Sequence, residues 1–223
     1  MRAPIRPFVA GCLAFTLATP APSSRADAGT EATATASAQI RPDGPRQGRS
    51  GMQYLTIQGK ENGEGGRFAT FCVLDFPAAG LDLDKGKVEQ MTLTLTQSLT
   101  AYARDGKVKF YLTGKLDAVT GPTARPFRFD LSSADGVGDQ LDPRVEVGSG
   151  TFAKKETGRV DTFTLTIDEA ARKLLDAQPR DGGTVRLVIV PDDPNVAATY
   201  YGWVTNEPAQ KPRLTVGGGE KAP

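Results

Sequence analysis

The sequence predicts an all-β fold, an antiparallel jelly-roll β-sandwich with one short helix. Three observations predict it. Apolar residues alternate with threonine over two segments, turn-forming residues recur at short intervals, and a single segment carries a helical stripe. In MTLTLTQ, Met91, Leu93 and Leu95 fall on one face and Thr92, Thr94 and Thr96 on the other, as successive side chains of a half-buried strand do. FTLTI repeats the pattern, with Phe163, Leu165 and Ile167 inward against Thr164 and Thr166.

In chain order, strands are predicted at MQYLTIQ from Met52, RFATFCVLDF from Arg67, MTLTLTQ from Met91, KVKFYLT from Lys107 and FRFDL from Phe127. FTLTI, VRLVIV from Val185, ATYYGWV from Ala198 and the closing PRLTV from Pro212 complete the set. The near-continuous apolar runs in RFATFCVLDF and VRLVIV predict central strands covered on both faces. Turn chemistry separates the strands at Gly63 to Gly66, Asp105-Gly106, Gly121-Pro122, Asp135-Gly136 and Asp181-Gly182-Gly183. One helix interrupts them: Asp168 caps it, Ala171, Leu174 and Leu175 form its apolar stripe, and Pro179 followed by Gly182 ends it over one open end of the sandwich.

Residues 1–28 have the layout of a secretory signal. Arg2 and Arg6 precede an apolar run from Phe8 to Ala18, and Ala26 and Ala28 supply the small side chains that signal peptidase requires. That run is shorter than the roughly 20 residues that cross a bilayer, so no transmembrane segment is expected in the mature protein. Export to the periplasm or the cell surface follows, with acylation of Cys12 in Val9-Ala10-Gly11-Cys12 as the alternative route. Residues 29–50, poor in large apolar side chains, read as a flexible linker. Residues 51–217 form the sandwich domain, and residues 218–223 a disordered tail. Loss of the leader leaves Cys72 without a disulfide partner, and its apolar setting predicts a buried hydrophobe.

Composition narrows the chemistry. The chain carries 27 Lys and Arg against 26 Asp and Glu, and no histidine. Cations scattered among acids argue against a nucleic-acid surface. The absence of imidazole removes Ser-His-Asp and Cys-His catalysis and the common zinc sites. Ser98, Ser132, Ser133 and Ser149 lie in no nucleophile motif. Asp82 and Asp84 alternate with Leu81 and Leu83, which puts both carboxylates on one side of an extended segment beside Lys85 and Lys87. A solvated loop accounts for them.

Two clusters are candidate binding sites. Asp192, Asp193 and Asn195 offer the hard oxygen ligands that calcium takes, although the same residues suit a tight turn. Tyr200, Tyr201 and Trp203 form the one dense aromatic cluster. Tyr201 and Trp203 share a strand face and could stack on a sugar ring, or all three could be core.

The residues Val73 to Phe76, Thr92 to Leu95, Ala198 to Gly202 and Pro212 to Val216 together resemble bacterial secreted jelly-roll modules of the DNRLRE and disaggregatase-related type. That resemblance implies a carbohydrate-binding-module-like sandwich, export, and either polysaccharide binding or a place in a large surface protein. The chain departs from the pattern in having Trp203 as its one tryptophan and Trp203-Val204-Thr205-Asn206-Glu207 in place of the usual Ser-Arg-Glu closing string. The expected function is that of an exported, non-catalytic module binding or organising extracellular material, with carbohydrate as ligand and no cofactor beyond calcium. A structural or protein-interaction component of the cell surface is the alternative, and a glycan-active enzyme using paired carboxylates the third.

Overall fold

The computed structural model describes residues 30–83, 88–119, 127–178 and 183–217. Its first half carries β1 (Thr30–Thr33), β2 (Ala36–Arg41), β3 (Gly44–Pro45), the one-turn helix α1 (Arg49–Gln53), β4 (Tyr54–Gln58), β5 (Phe71–Pro77), β6 (Gln90–Thr96) and β7 (Gly106–Thr113). There follow β8 (Arg144–Phe152), β9 (Val160–Thr166), the helix α2 (Glu169–Asp176), β10 (Thr184–Pro191), β11 (Ala197–Tyr201) and β12 (Arg213–Val216).

The strands form an antiparallel sandwich. One sheet runs β1-β12-β6-β9 and the facing one β3-β2-β5-β10-β7-β8, while β4 and β11 form a separate two-stranded pair. With the β2–β3 hairpin and the β4–β11 pair set aside, eight strands remain. In one sheet they run first, last, third, sixth, and in the other second, seventh, fourth, fifth. This is the order of a jelly roll, in which hairpin-linked strands pass alternately between two sheets.

Alternation explains the main core. Met91, Leu93 and Leu95 of β6, Phe163 and Leu165 of β9, and Leu214 and Val216 of β12 point inward against Leu74, Phe110, Leu187 and Ile189 of the opposite sheet. The opposing threonines of β6 and β9 line up across the pair, Thr92 with Thr164 and Thr94 with Thr162. The central strands β5 and β10 are covered on both faces, as their continuous apolar runs require. A second core lies on the outer side of the six-stranded sheet, where Phe127, Phe129, Val137 and Leu141 cover Ile40, Phe71, Val73, Val188 and Val190.

Within β10, Arg186 is almost fully buried. Its Nε and Nη2 donate to the two carboxylate oxygens of Asp75 at 2.7 and 2.8 Å, and Nη1 donates to the carbonyls of Lys115 and Asp117. Every arm of the guanidinium has an acceptor, which is the condition under which a charge is tolerated in a sheet interior. Helix α2 begins as the sequence predicts, with Asp168 accepting a hydrogen bond from the Ala171 amide at 2.8 Å. Ala171 and Leu175 are buried in the main core and Leu174 packs against it.

The structure corrects three expectations. The segment 30–50 is not a linker: β1 pairs with β12 along its whole length, β2 pairs with β5, and Ala38 and Ile40 are buried. Its small side chains suffice because β2 is roofed by the second core, where bulk comes from the phenylalanines opposite. FRFDL is no strand. Phe127 and Phe129 both enter the second core, and the segment forms no ladder: its backbone bonds run from the Phe129 amide to the Arg41 carbonyl and from the Asp130 amide to the Gly136 carbonyl. The nine-residue strand β8, RVEVGSGTF, was not predicted because two glycines break its apolar pattern. A Cβ on Gly150 would come within 2.5 Å of the Phe163 ring, so that glycine is what lets β8 approach β9. The candidate signal 1–28, Cys12, Asp84, the helix-ending Pro179 to Gly182 and the tail 218–223 lie outside the described residues.

Candidate functional site

The pair β4–β11 has two faces. Leu55 and Ile57 of β4 and Tyr200 of β11 point into the core, which leaves Thr56, Gln58 and Thr199 on the other side. Thr56 and Thr199 sit directly opposite each other across the pair. These three residues line one side of an open cleft of about 620 Å³.

Three other elements enclose it. Arg41 and Arg46 come from the β2–β3 hairpin, whose turn Pro42-Asp43-Gly44 depends on glycine, since Gly44 has φ 115°. Arg41 pairs with Gly44 across that hairpin, and the Arg46 amide donates to the Gln39 carbonyl at 2.8 Å. Gln39 and Arg41 point to the same side of β2, so Arg46, opposite Gln39, joins them there. The glycine-rich turn after β4 supplies Asn62, Gly63 and Phe68.

The last wall runs from Leu99 to Arg104. Leu99 lies in the left-handed region at φ 42°, the one non-glycine residue with positive φ among the described residues. A side chain there costs roughly 1–2 kcal/mol. Backbone bonds to β11 hold it: the Ser98 amide donates to the Thr199 carbonyl, and Arg104 exchanges both bonds with Ala197. The segment so anchored presents Tyr102, which is 76% exposed, and Arg104. Phe68, at 42% exposed, is the other aromatic of the cleft, with the Arg67 guanidinium 4.6 Å from its ring centre.

The cleft is cationic. Arg41, Arg46 and Arg104 line it, no carboxylate does, and none of the three forms an ion pair among the described residues. Arg41 Nε is buried with no hydrogen-bond partner. Partial burial, and then the neighbouring Arg41 charge, hold the Arg46 guanidinium below its ordinary pKa. Arg41, Arg46 and Arg104 therefore concentrate positive charge in the cleft, and no carboxylate is among its described lining residues.

The aromatics and acids singled out in the sequence lie elsewhere. Tyr200 is fully buried, so it is not available to a ligand; its hydroxyl donates to Asp161 Oδ2 at 3.1 Å, and burial followed by the Asp161 charge pushes its pKa up. Tyr201 is half-buried and its ring centre is 6.0 Å from that of Tyr54. Trp203 lies beyond the end of β11 and packs against the main core, half-buried. Gly202 between them makes that path possible, because a Cβ would sit 2.1 Å from the Met52 carbonyl. None of the three lines the cleft.

The acidic stretch is a turn with its acids engaged. Asp192 pairs with Lys109 at 3.2 Å and raises the pKa of that lysine, while Asp193 Oδ1 accepts from the Asn195 amide at 2.8 Å. Among the described residues, no three acidic, cysteine or histidine side chains are grouped as a metal ion requires. Cys72 is buried, and its thiol pKa is pushed up by desolvation.

Asp161 anchors a second cluster of buried polar side chains, besides that of Arg186 and Asp75. Besides Tyr200, its carboxylate accepts from Gln97 Nε2 at 2.7 Å and from Lys155 Nζ at 2.6 Å. Gln97 in turn donates to the Ala153 carbonyl and accepts from the Lys155 amide. All these donors and acceptors find partners within the protein, which makes the cluster a strut rather than a reaction centre.

Among the described residues no helix is long and apolar enough to cross a membrane. No family model matches the chain, and no curated protein matches it.

Proposed function

We propose that the chain is an exported, non-catalytic jelly-roll module that binds extracellular carbohydrate, and that its binding site is the cleft beside β4 and β11. The observation that carries this assignment is the open cleft itself. It combines an exposed ring at Tyr102 and a half-exposed one at Phe68 with hydroxyl, amide and guanidinium groups, on walls fixed by strand pairing. Pockets that take sugars need this mixture, since a pyranose has an apolar face that stacks on a ring and an edge of hydroxyls that exchanges hydrogen bonds. A second support is the strain at Leu99, because backbone outliers that the surrounding structure holds in place concentrate at ligand sites. The leader-like residues 1–28 support export.

The rings, hydroxyls, amides and guanidiniums that line the cleft are groups that bind, which supports a binding reading. The test is retention of the full chain on a panel of immobilised polysaccharides, comparing wild type with Tyr102→Ala and Trp203→Ala. Retention reduced by Tyr102→Ala and kept by Trp203→Ala is the expected result. Retention on no polysaccharide overturns the assignment, and loss with Trp203→Ala alone moves the site back to the end of β11.

A further inference from the structure

We infer that the ligand of this cleft carries a phosphate or sulfate ester, and that Arg41 and Arg46 bind it. The inference rests on the carbohydrate assignment and deepens it by naming the chemical class of the substituent. Its starting point is a contrast within the protein: the guanidinium of Arg186 has an acceptor on every arm, while Arg41 and Arg46 stand together without a carboxylate.

The hairpin geometry makes their proximity unavoidable. Register puts Arg41 and Arg46 on the same side of the β2–β3 ribbon, and the turn between them is only Pro42 to Pro45. Arg46 Nη1 approaches Gln39 Oε1 at 3.5 Å, and Arg41 Nε is buried with no partner. Arg46 carries the depressed pKa expected of a guanidinium that is partly buried beside another one. Arg104 brings a third cation to the same cleft from β11's other neighbour, the Leu99–Arg104 segment. An anion seated here relieves the repulsion.

The number of donors selects the kind of anion. A carboxylate offers two oxygens in one plane, the shape that the fork of one guanidinium matches. A tetrahedral ester offers three free oxygens, and a phosphate monoester brings about −1.5 to −2 charges, which suits two or three guanidiniums converging from separate elements. Arginine supplies this geometry where lysine would supply only a point charge. The side chains of Thr56 and Gln58 and the ring of Tyr102 then serve the sugar to which the ester is attached.

The experiment compares four immobilised polymers at one ionic strength: a phosphomannan, a dextran sulfate, a polygalacturonate and unmodified dextran, with the full chain as analyte. Retention on phosphomannan or dextran sulfate at least about tenfold stronger than on polygalacturonate is expected, as is a loss of about tenfold or more with Arg41→Gln or Arg46→Gln. Lys173→Gln, a cation outside the cleft, leaves retention unchanged. The phosphomannan and dextran sulfate arms decide between the two esters. Equal or stronger retention on polygalacturonate overturns the inference in favour of a carboxylate. Retention on dextran that ignores the arginine variants also overturns it, yet leaves the carbohydrate assignment standing, whereas retention on none of the four overturns both.

Thermal melting guards against a trivial loss of fold. Inorganic phosphate or sulfate, against chloride at equal ionic strength, raises the Tm of wild type more than that of Arg46→Gln. An identical response of the two proteins counts against the arginine pair, and Arg46→Lys, which keeps the charge and loses the fork, gives an intermediate response.

Discussion

Thr199 and Tyr200 are neighbours on β11, yet they face opposite kinds of polar chemistry. On the inner side, the Tyr200 hydroxyl joins Gln97 and Lys155 around Asp161, and the charge is matched and the hydrogen bonds are made. On the outer side, Thr199 shares a cleft with Arg41, Arg46 and Arg104, where cations gather without anions. A closed polar network belongs to stability, because it has nothing left to offer a ligand. An open one with like charges near each other costs stability, and the proposed ligand offsets that cost.

Variants can break or sharpen this contrast, beginning with the closed side. Arg186→Ala would leave Asp75 and two carbonyls without their partner in the middle of the six-stranded sheet, with an expected loss of about 3–5 kcal/mol in urea unfolding. Replacing Asp75 and Arg186 together by leucine is expected to recover most of that loss, since the penalty comes from the orphaned charge. Asp161→Ala should lower stability by on the order of 3 kcal/mol, less than Arg186→Ala because Lys155 is 46% exposed and can turn to water. Tyr200→Phe removes one hydrogen bond and keeps the ring against Phe152 and Phe163, and is expected to cost about 1 kcal/mol.

The open side should behave in the opposite way. Arg46→Gln and Tyr102→Ala are expected to change stability by no more than about 0.5 kcal/mol by the same unfolding measurement. Arg46→Gln should fall on the stabilising side, since it removes a repulsion. Tyr102→Ala should weaken glycan retention several-fold, in line with the roughly 0.5–1.5 kcal/mol that a stacked ring contributes. A large stability loss from Arg46→Gln would make the arginine pair structural and erase the contrast.

Parts of the fold are legible in the sequence and parts are not, for identifiable reasons. The strands β5, β6, β7, β9, β10 and β12 and helix α2 follow from side-chain period, because large apolar residues alternate with threonine or run unbroken there. Strands β1 and β2 escape that test. Ala32 of β1 faces the main core and Ala38 of β2 the second one, and both are too small to register as a core pattern; the bulk over Ala38 comes from Phe127 and Phe129. A signal was nonetheless present in ASAQIRPDGPR, where small or apolar residues alternate with polar ones before a Pro-Asp-Gly turn.

The candidate site was less legible for a related reason. Density of aromatics drew attention to Tyr200, Tyr201 and Trp203, but burial removes the first, and contacts with Tyr54 and the core occupy the others. Tyr102 and Phe68 stand alone in sequence, one in a short turn after Leu99 and one after a run of glycines. Arg41 and Arg46 lie in residues 29–50, whose composition reads as a linker.

The sequence by itself determined an all-β chain with two central strands, one capped helix, a closing strand and no imidazole chemistry, because these depend on local period, turn residues and composition. Tertiary structure alone decided that residues 30–50 belong to the sandwich and that Tyr200 faces inward. It also brought arginines from a hairpin and from a distant turn to one cleft. The physical reason is that burial and the balance of charge are properties of what lies opposite a side chain, and in a jelly roll the opposite residue comes from a strand far away in the chain.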